Sequence, residues 1–562
     1  MSQHGGMSWA ELRRIWLWPV FALGLATVVM TFVPFLYDWW RAPSEMTNGL
    51  DPVRALFNYD LETLQNALGN LAQTVAAVVG IVMTVVAIVV QLAATRYTPR
   101  VTELFLKERT NVVVLGFFVV SCVMAIYVSL AVGRNGFLPK ASVITAVVAV
   151  TLSLLLMVPY FAYVFDFLDP EKVVSRIRDG AVDQAAAAVA GGEPQLAQVA
   201  VLQAIEQLSD VSLSAMANHD KIIAARAVDA MRTLGVRYLA VKGELPEGWH
   251  VPCDEVVKNP DFVAMHPDSL ADLVNDHLWL EWKILRQFQA IYNEALSDNP
   301  DMNYLIAIDT RYLGEAALKE RAEPTVGLAL KFFNTYLRST LNKKQVRTAY
   351  NVMNQYRQLV EAMLGDRSND DRVVDIAGYL RYYGQIANGM SLGFVTETIA
   401  YDLAALCELA HQVQSEAHDA LLGALLELDK EAEDEASERA LRGVRKAQLR
   451  LATFYLLRQD EARARRIHKD MELERPERLT SLKNELLRVV SKDFWEVIDR
   501  GANFDYMPPE RKAELERFFA WFPWSPDRVR PDTGPIRVPS GRLQELRDSG
   551  FGEVEPIKTA KQ

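Results

Sequence analysis

One thiol and two imidazoles lie close enough in the chain to raise metal chemistry: Cys407, His411 and His418 fall at i, i+4 and i+11, near one side of a helix. Structural zinc takes four nitrogen or sulfur ligands, so a fourth would have to arrive from elsewhere. A core thiol beside solvated histidines is the simpler reading. His250-Val-Pro-Cys253 with His266 gathers the same residue types around a loop, but lacks the paired two-residue spacings that make zinc motifs specific. No metal and no cofactor is assigned to either group. The chain also lacks a Walker A sequence, a Gly-x-Gly-x-x-Gly fingerprint, a Gly-x-Ser-x-Gly elbow and a His-Glu-x-x-His helix. The acidic run from Glu427 to Glu438 reads as a solvated helical face. No catalytic residue follows from any of these, and the expectation is a protein that is not an enzyme.

A different pattern carries more. Steps of four and three from Asn66 give Asn66, Asn70, Gln73, Ala77, Gly80, Thr84, Ala87, Gln91 and Ala94, a row of small or polar residues along one helical face. The opposite face holds Val75, Val78, Val79, Val82, Val85, Val86 and Val89. Such a row is more commonly a helix-packing seam, since small residues let backbones approach and amides bond across helices. The sharper alternative is a polar path around the axis of an oligomer, in which amides and hydroxyls replace part of an ion's hydration shell. No charge lies on the row, which argues against a proton relay or a strongly charge-selective filter.

The elements that position this row are four charge-free segments, Ile15 to Tyr37, Leu71 to Ala94, Val112 to Val132 and Val143 to Phe165. Each is long enough to cross about 30 Å of hydrocarbon at about 1.5 Å per residue. Trp9, Trp16, Trp18, Trp39 and Trp40 flank the first, and the absence of a small-residue cleavage site marks it as a retained helix. Nine Lys and Arg near the helix ends fall on the side of the N-terminus and four on the other. The positive-inside rule then places both termini in the cytoplasm. Arg96 and Arg100, beyond the end of span two, are candidates for contact with lipid phosphates. Thr98 is a candidate cap before a short surface segment, and Pro159 a candidate kink in span four with an interfacial collar of aromatics around it.

The run Gln91-Leu-Ala-Ala-Thr-Arg-Tyr-Thr-Pro-Arg100, followed by Leu115-Gly-Phe-Phe-Val, resembles a bacterial family of predicted integral membrane proteins catalogued as a domain of unknown function. A second similar stretch is Arg286-Gln-Phe-Gln-Ala-Ile-Tyr-Asn-Glu-Ala-Leu-Ser297 with Ile308-Asp-Thr-Arg-Tyr-Leu313. The family's Pro-Gly-Ile-Asn-Asp-Pro run is replaced here by Asp298-Asn-Pro-Asp-Met-Asn-Tyr304. The resemblance implies four N-terminal spans and a large soluble part, and it brings no activity.

The net charge of −11 belongs to the chain after residue 170, because residues 1–170 carry ten basic and ten acidic side chains. That acidity disfavours nucleic acid as a partner. Three cysteines cannot form a disulfide framework. Apolar residues from Glu171 onward recur at steps of three and four, in runs such as Leu196 to Leu234, Leu270 to Leu296, Pro324 to Leu364 and Leu392 to Leu428. The fold class expected is therefore all-α: a transmembrane region over 1–170, a helical cytoplasmic domain over 171–522 and an extended or disordered tail over 523–562. A short β-hairpin is expected around Val236 to Val251, and an ordinary helical hairpin over Ser437 to Glu474, joined near Gln459. The partners expected are the lipid bilayer, further copies of the chain, and a cytoplasmic protein. Function is expected to be that of an oligomeric membrane protein, as a pore gated by the helical domain or as a non-conducting scaffold or receptor.

Overall fold

The structure is a computed structural model that describes residues 18–41, 61–96, 105–106, 108–132, 139–428, 435–472, 474–493, 500–501 and 503–524. Arg100, the Thr98 cap, the acidic stretch 429–434 and the tail from 525 lie outside the described residues. The chain forms two compact units: Met1–Ile177 with Ser214–Ala224, and Arg178–Leu213 with Ala225–Gln562. Among the described residues there is helix and no strand, so the fold is all-α.

Four helices of the first unit are long and apolar enough to cross a membrane: α1 Trp18–Arg41, α2 Leu61–Arg96, α3 Arg109–Ala131 and α4 Lys140–Phe167. α2 packs on α3 and α4, α3 packs on α4, and α1 lies against α4. One layer of the interior joins Leu68 of α2 to Val128 of α3 and to Val143 and Ala146 of α4. The next joins Ala72 and Val75 to Ala125 and Val150. α2 begins ten residues before the expected start of the span at Leu71, because Leu61 to Asn70 continues the helical spacing with Leu64 and Leu68 turned inward. At 36 residues it is about 54 Å long, well beyond the hydrocarbon thickness. α4 runs on through Pro159. The expected aromatic collar is only partly at the surface: Tyr160 and Tyr163 are buried, whereas Phe165 is exposed. The reason is Asn111, buried at the start of α3, whose Oδ1 accepts a hydrogen bond from the Tyr160 hydroxyl and whose Nδ2 donates to Phe105 O. Beyond α4, Arg176 donates to Phe167 O at 2.8 Å and lies 3.9 Å over the Phe167 ring.

The remaining helices are α5 Pro170–Val189, α6 Pro194–Ala217, α7 Lys221–Val241, the short α8 Glu247–His250, α9 Asp254–Val257 and α10 Pro260–Val263, and then α11 Pro267–Asn275. They continue as α12 Trp279–Ala295, α13 Pro300–Lys319, α14 Glu323–Asn342, α15 Val346–Met363, α16 Asp370–Gly389, α17 Gly393–Val413 and α18 His418–Leu426. The last four are α19 Glu435–Leu457, α20 Glu461–Asp470, α21 Pro476–Arg488 and α22 Pro509–Phe519. Proline opens the first turn of α10, α11, α13 and α22, where its missing N–H breaks no helical bond.

From α12 onward the helices form two layers. α13 packs on α15, α15 on α17, α17 on α19 and α19 on α22, while α12 packs on α14, α14 on α16 and α16 on α18. Pairs of antiparallel helices stacked in this way make an α-solenoid. Ser437 to Glu474 holds the expected helical hairpin, α19 and α20 joined at Gln459, and α19 also packs on α17. The predicted β-hairpin is corrected: residues 236–241 finish α7, and the chain then makes a single 3-10 turn and α8. Val236 to Leu239 serves the apolar face of a helix, so its β-branched content did not decide its structure.

Each of the four long periodic runs is split in two by a residue in the left-handed conformation. They are His219, His277, Lys344 and Gln414, with φ of 58°, 57°, 54° and 56°. In each case the next amide reaches back to close the helix end, as in Gln345 N to Thr340 O at 3.1 Å and Ser415 N to Ala410 O at 3.0 Å.

Candidate functional site

The polar row on α2 faces outward. Asn66, Asn70, Gln73, Ala77, Gly80, Thr84, Ala87 and Gln91 are all exposed within this chain, while Val75, Val82, Val86 and Val90 on the other side are buried. The row therefore does not lie between the spans of one chain, and the valine face makes the internal contacts. A Cβ added to Gly80 would meet nothing within 4 Å. Ile81, Met83, Ile88 and Leu92 flank the row and are exposed with it.

The row's chemistry is uneven along its length. Thr84 donates its hydroxyl hydrogen to Gly80 O at 2.8 Å, so its donor is satisfied within α2. The side-chain amides of Gln73 and Gln91 are 18 positions apart, a rise of about 27 Å. That rise is close to the thickness of a hydrocarbon layer, about 30 Å, and Ala77, Gly80, Thr84 and Ala87 lie between the two amides. A primary amide turned to hydrocarbon without a partner costs several kcal/mol. Asn66 and Asn70 lie on the part of α2 that precedes the expected start of the span at Leu71. Arg96 is the last residue of the helix.

The two histidine groups are arranged for other purposes. His418 Nε2 is 2.7 Å from the Tyr455 hydroxyl, and the His411 ring sits edge-on to His418 at 5.6 Å while pairing with Asp460 at 3.5 Å. Burial, with Arg463 and His411 nearby, pushes His418 down to about 4. Cys407 is fully buried, and burial pushes its thiol well above the ordinary range. In the other group His266 is exposed and accepts from Asp268 N at the start of α11, apart from the buried Cys253. His250 instead stacks on His277, with ring centroids 4.2 Å apart and planes 10° from parallel. Among the described residues, no three His, Cys, Asp or Glu side chains gather as a metal ion would need.

Sequence reasoning missed the buried ionic groups of the second unit. Lys283 of α12 is buried, with its ammonium 2.7 Å from Asp261 Oδ2, 3.0 Å from Asn259 Oδ1 and 3.2 Å from Glu206 Oε1. Arg232 Nε lies 3.1 Å from Asp309 Oδ1, yet burial outweighs that pairing and pushes the Asp309 carboxyl up to about 7. Gln198 donates to Trp249 O and Val251 O and accepts from Cys253 N, each at 2.8 Å. Nothing in the spacing of these residues pairs them, because the partners come from different helices.

Four long apolar helices with an inward valine face, followed by a stack of further helices, define a multi-span membrane protein. Residues 13–230 match the family described as "Predicted membrane protein (DUF2254)". That match agrees with the resemblance carried by the end of span two and the start of span three, and it runs through both segments of the membrane unit. The second similar stretch, Arg286 to Leu313, lies beyond it. No curated protein and no solved structure matches the chain.

Proposed function

We propose that copies of this protein associate in a bacterial inner membrane through the exposed small and polar face of α2, with Gln73, Gly80, Thr84 and Gln91 around the axis of the assembly as a narrow, uncharged path. The observation that carries this reading is the outward direction of the row. Amides and a bare glycine backbone facing lipid are unfavourable, and a symmetric neighbour covers them with the same surface. The helical stack, on the cytoplasmic side by the distribution of Lys and Arg, then gates the path. Purified protein in planar bilayers is expected to conduct, and Gln91→Leu or Thr84→Leu to alter that conductance. Silent bilayers containing intact oligomers would overturn the pore.

A second reading keeps the assembly and removes the path: a non-conducting scaffold or receptor whose stack recruits a cytoplasmic protein. It is favoured by the internal bond of Thr84 to Gly80 O, which leaves the middle of the row to Ala77, Gly80 and Ala87, residues suited to close helix contact. Capture from native membranes of a stoichiometric partner, lost when residues 171–562 are deleted, would support this reading.

A further inference from the structure

α5 starts at Pro170, just after α4 ends at Phe167, and its 20 residues make a helix about 30 Å long. Gly191, at φ 93°, and Gly192, whose N–H reaches back to Ala187 O at 2.9 Å, then turn the chain. α6 has 24 residues and is about 36 Å long, one turn more than α5. Its last residues return to the spans: Ser214–Ala224 belong to one compact unit with Met1–Ile177, whereas Arg178–Leu213 do not. Only the end of the spans from which α5 departs lies within reach of a helix of that length. α7 then leaves beside α5, with Arg237 Nη1 3.5 Å from Asp179 Oδ1. Arg237 is 16 residues beyond the start of α7 and Asp179 nine beyond the start of α5. Even allowing for the length of the arginine side chain, the start of α7 lies at least as deep toward the spans as the start of α5.

The turn between α6 and α7 is built for such a place. His219, in the left-handed conformation, donates its N–H to Met216 O at 2.9 Å, and Asp220 N donates to Ala215 O at 2.8 Å. Asn218 Nδ2 donates to Ser214 O at 2.8 Å, and Asp220 Oδ1 accepts from Ile223 N at 3.2 Å in the first turn of α7. These groups satisfy one another, which lowers the cost of bringing a turn against a layer poor in water. Ala215, Ile223 and Ala224 are buried and hold the turn to the protein, while Ile222 is 68% exposed and has the exposed Lys221 beside it. Leu196, at the opposite end of α6, is equally exposed at 67%, so it is position and not exposure that sets Ile222 apart.

We propose that the α6–α7 turn, residues 217–222, is a contact with the surface of the bilayer that holds the spans. Ile222 enters the boundary between headgroups and acyl chains, and Lys221 extends its ammonium to the level of the lipid phosphates. The surface continues that of α4, whose exposed Phe165 stands two residues before the helix ends. Lipid thereby gains a point of contact outside the four spans, whether or not those spans conduct.

The test uses the full-length protein in nanodiscs of mixed phosphatidylcholine and phosphatidylglycerol. Cys122→Ser leaves the buried Cys253 and Cys407 as the remaining thiols, and a nitroxide is attached through Ile222→Cys in one variant and Leu196→Cys in another, each checked for an unchanged melting transition. The label at 222 is expected to favour collision with oxygen over a water-soluble nickel complex roughly tenfold more than the label at 196, as a group at the headgroup boundary does. Equal preference at the two positions overturns the proposal. Dipolar broadening between labels at 222 would assign the turn to a contact between copies and overturn it as well. Photolabelling needs no substitution: a lipid with a diazirine near the top of its acyl chain should place adducts on residues 217–222 of the unaltered protein and none on 194–198. No adduct on the turn, or equal labelling of both stretches, overturns the proposal.

Discussion

His418 Nε2 and the Tyr455 hydroxyl are 2.7 Å apart, tying the start of α18 to α19 through a neutral imidazole. The pair is buried, and protonating the ring would set a cation beside Arg463 and His411. Stability should therefore depend on pH in a definite direction. The unfolded chain takes up a proton near the ordinary value of 6.5, whereas the folded ring resists until about 4. Stability is present above 6.5 and is lost as pH falls through that window, by roughly 2 kcal/mol at pH 5. His418→Gln removes the titration, so urea melts at pH 7.5 and pH 5 should show its deficit against the unaltered protein shrinking at the lower pH.

Asp309 should give the opposite slope. Its carboxyl titrates near 7 because burial disfavours the charge, so the stability it contributes is complete below about 3.8 and is lost as pH rises through 7. Asp309→Asn has no proton to lose. Relative to the unaltered protein it should gain about 2–3 kcal/mol between pH 5 and pH 8, read by the same melts.

Lys283 gathers Glu206, Asn259 and Asp261 onto α12. Lys283→Met fills similar volume but leaves Glu206 without its cation and Asp261 with Arg286 Nε at 3.6 Å, and breaking such a partly buried group on one side costs about 2 kcal/mol or more. Chemical denaturation should show that loss in the midpoint with little change in slope.

Gly80 and Gly384 should respond in different observables. Gly80→Ile places its side chain in space that the chain leaves open, so the melting transition should hold while association in detergent, followed by sedimentation, weakens at least tenfold.

A Cβ on Gly384 of α16 would overlap Leu428 Cδ2. Gly384→Ala is expected to destabilise the protein by about 1–3 kcal/mol without changing association.

The spans were legible because a charge-free run of over twenty residues rarely forms anything but a membrane helix, and the row on α2 because its spacing repeats through the whole helix. The direction of the row was not legible. Valines that suit lipid also suit Leu68, Ala125 and Val150, and only the packing of α3 and α4 decides between them. The stack was hidden for a different reason. Helix stops are usually marked by glycine, but here the left-handed positions are His219, His277, Lys344 and Gln414, which left four apolar runs looking continuous. The contact of Arg500 with Asp402 escaped detection because the two are nearly a hundred residues apart in sequence and share no spacing.

Those left-handed turns bear on mechanics as well as on folding. A stack whose helix pairs rest chiefly on their neighbours yields like a spring, each turn contributing a small angular compliance and the whole summing them along its length. Arg500, before α22, bonds both Asp402 of α17 and Tyr350 O of α15, which braces that spring on one side. Releasing this brace would soften bending locally, so the contacts of one side chain would change the stiffness of a much longer body.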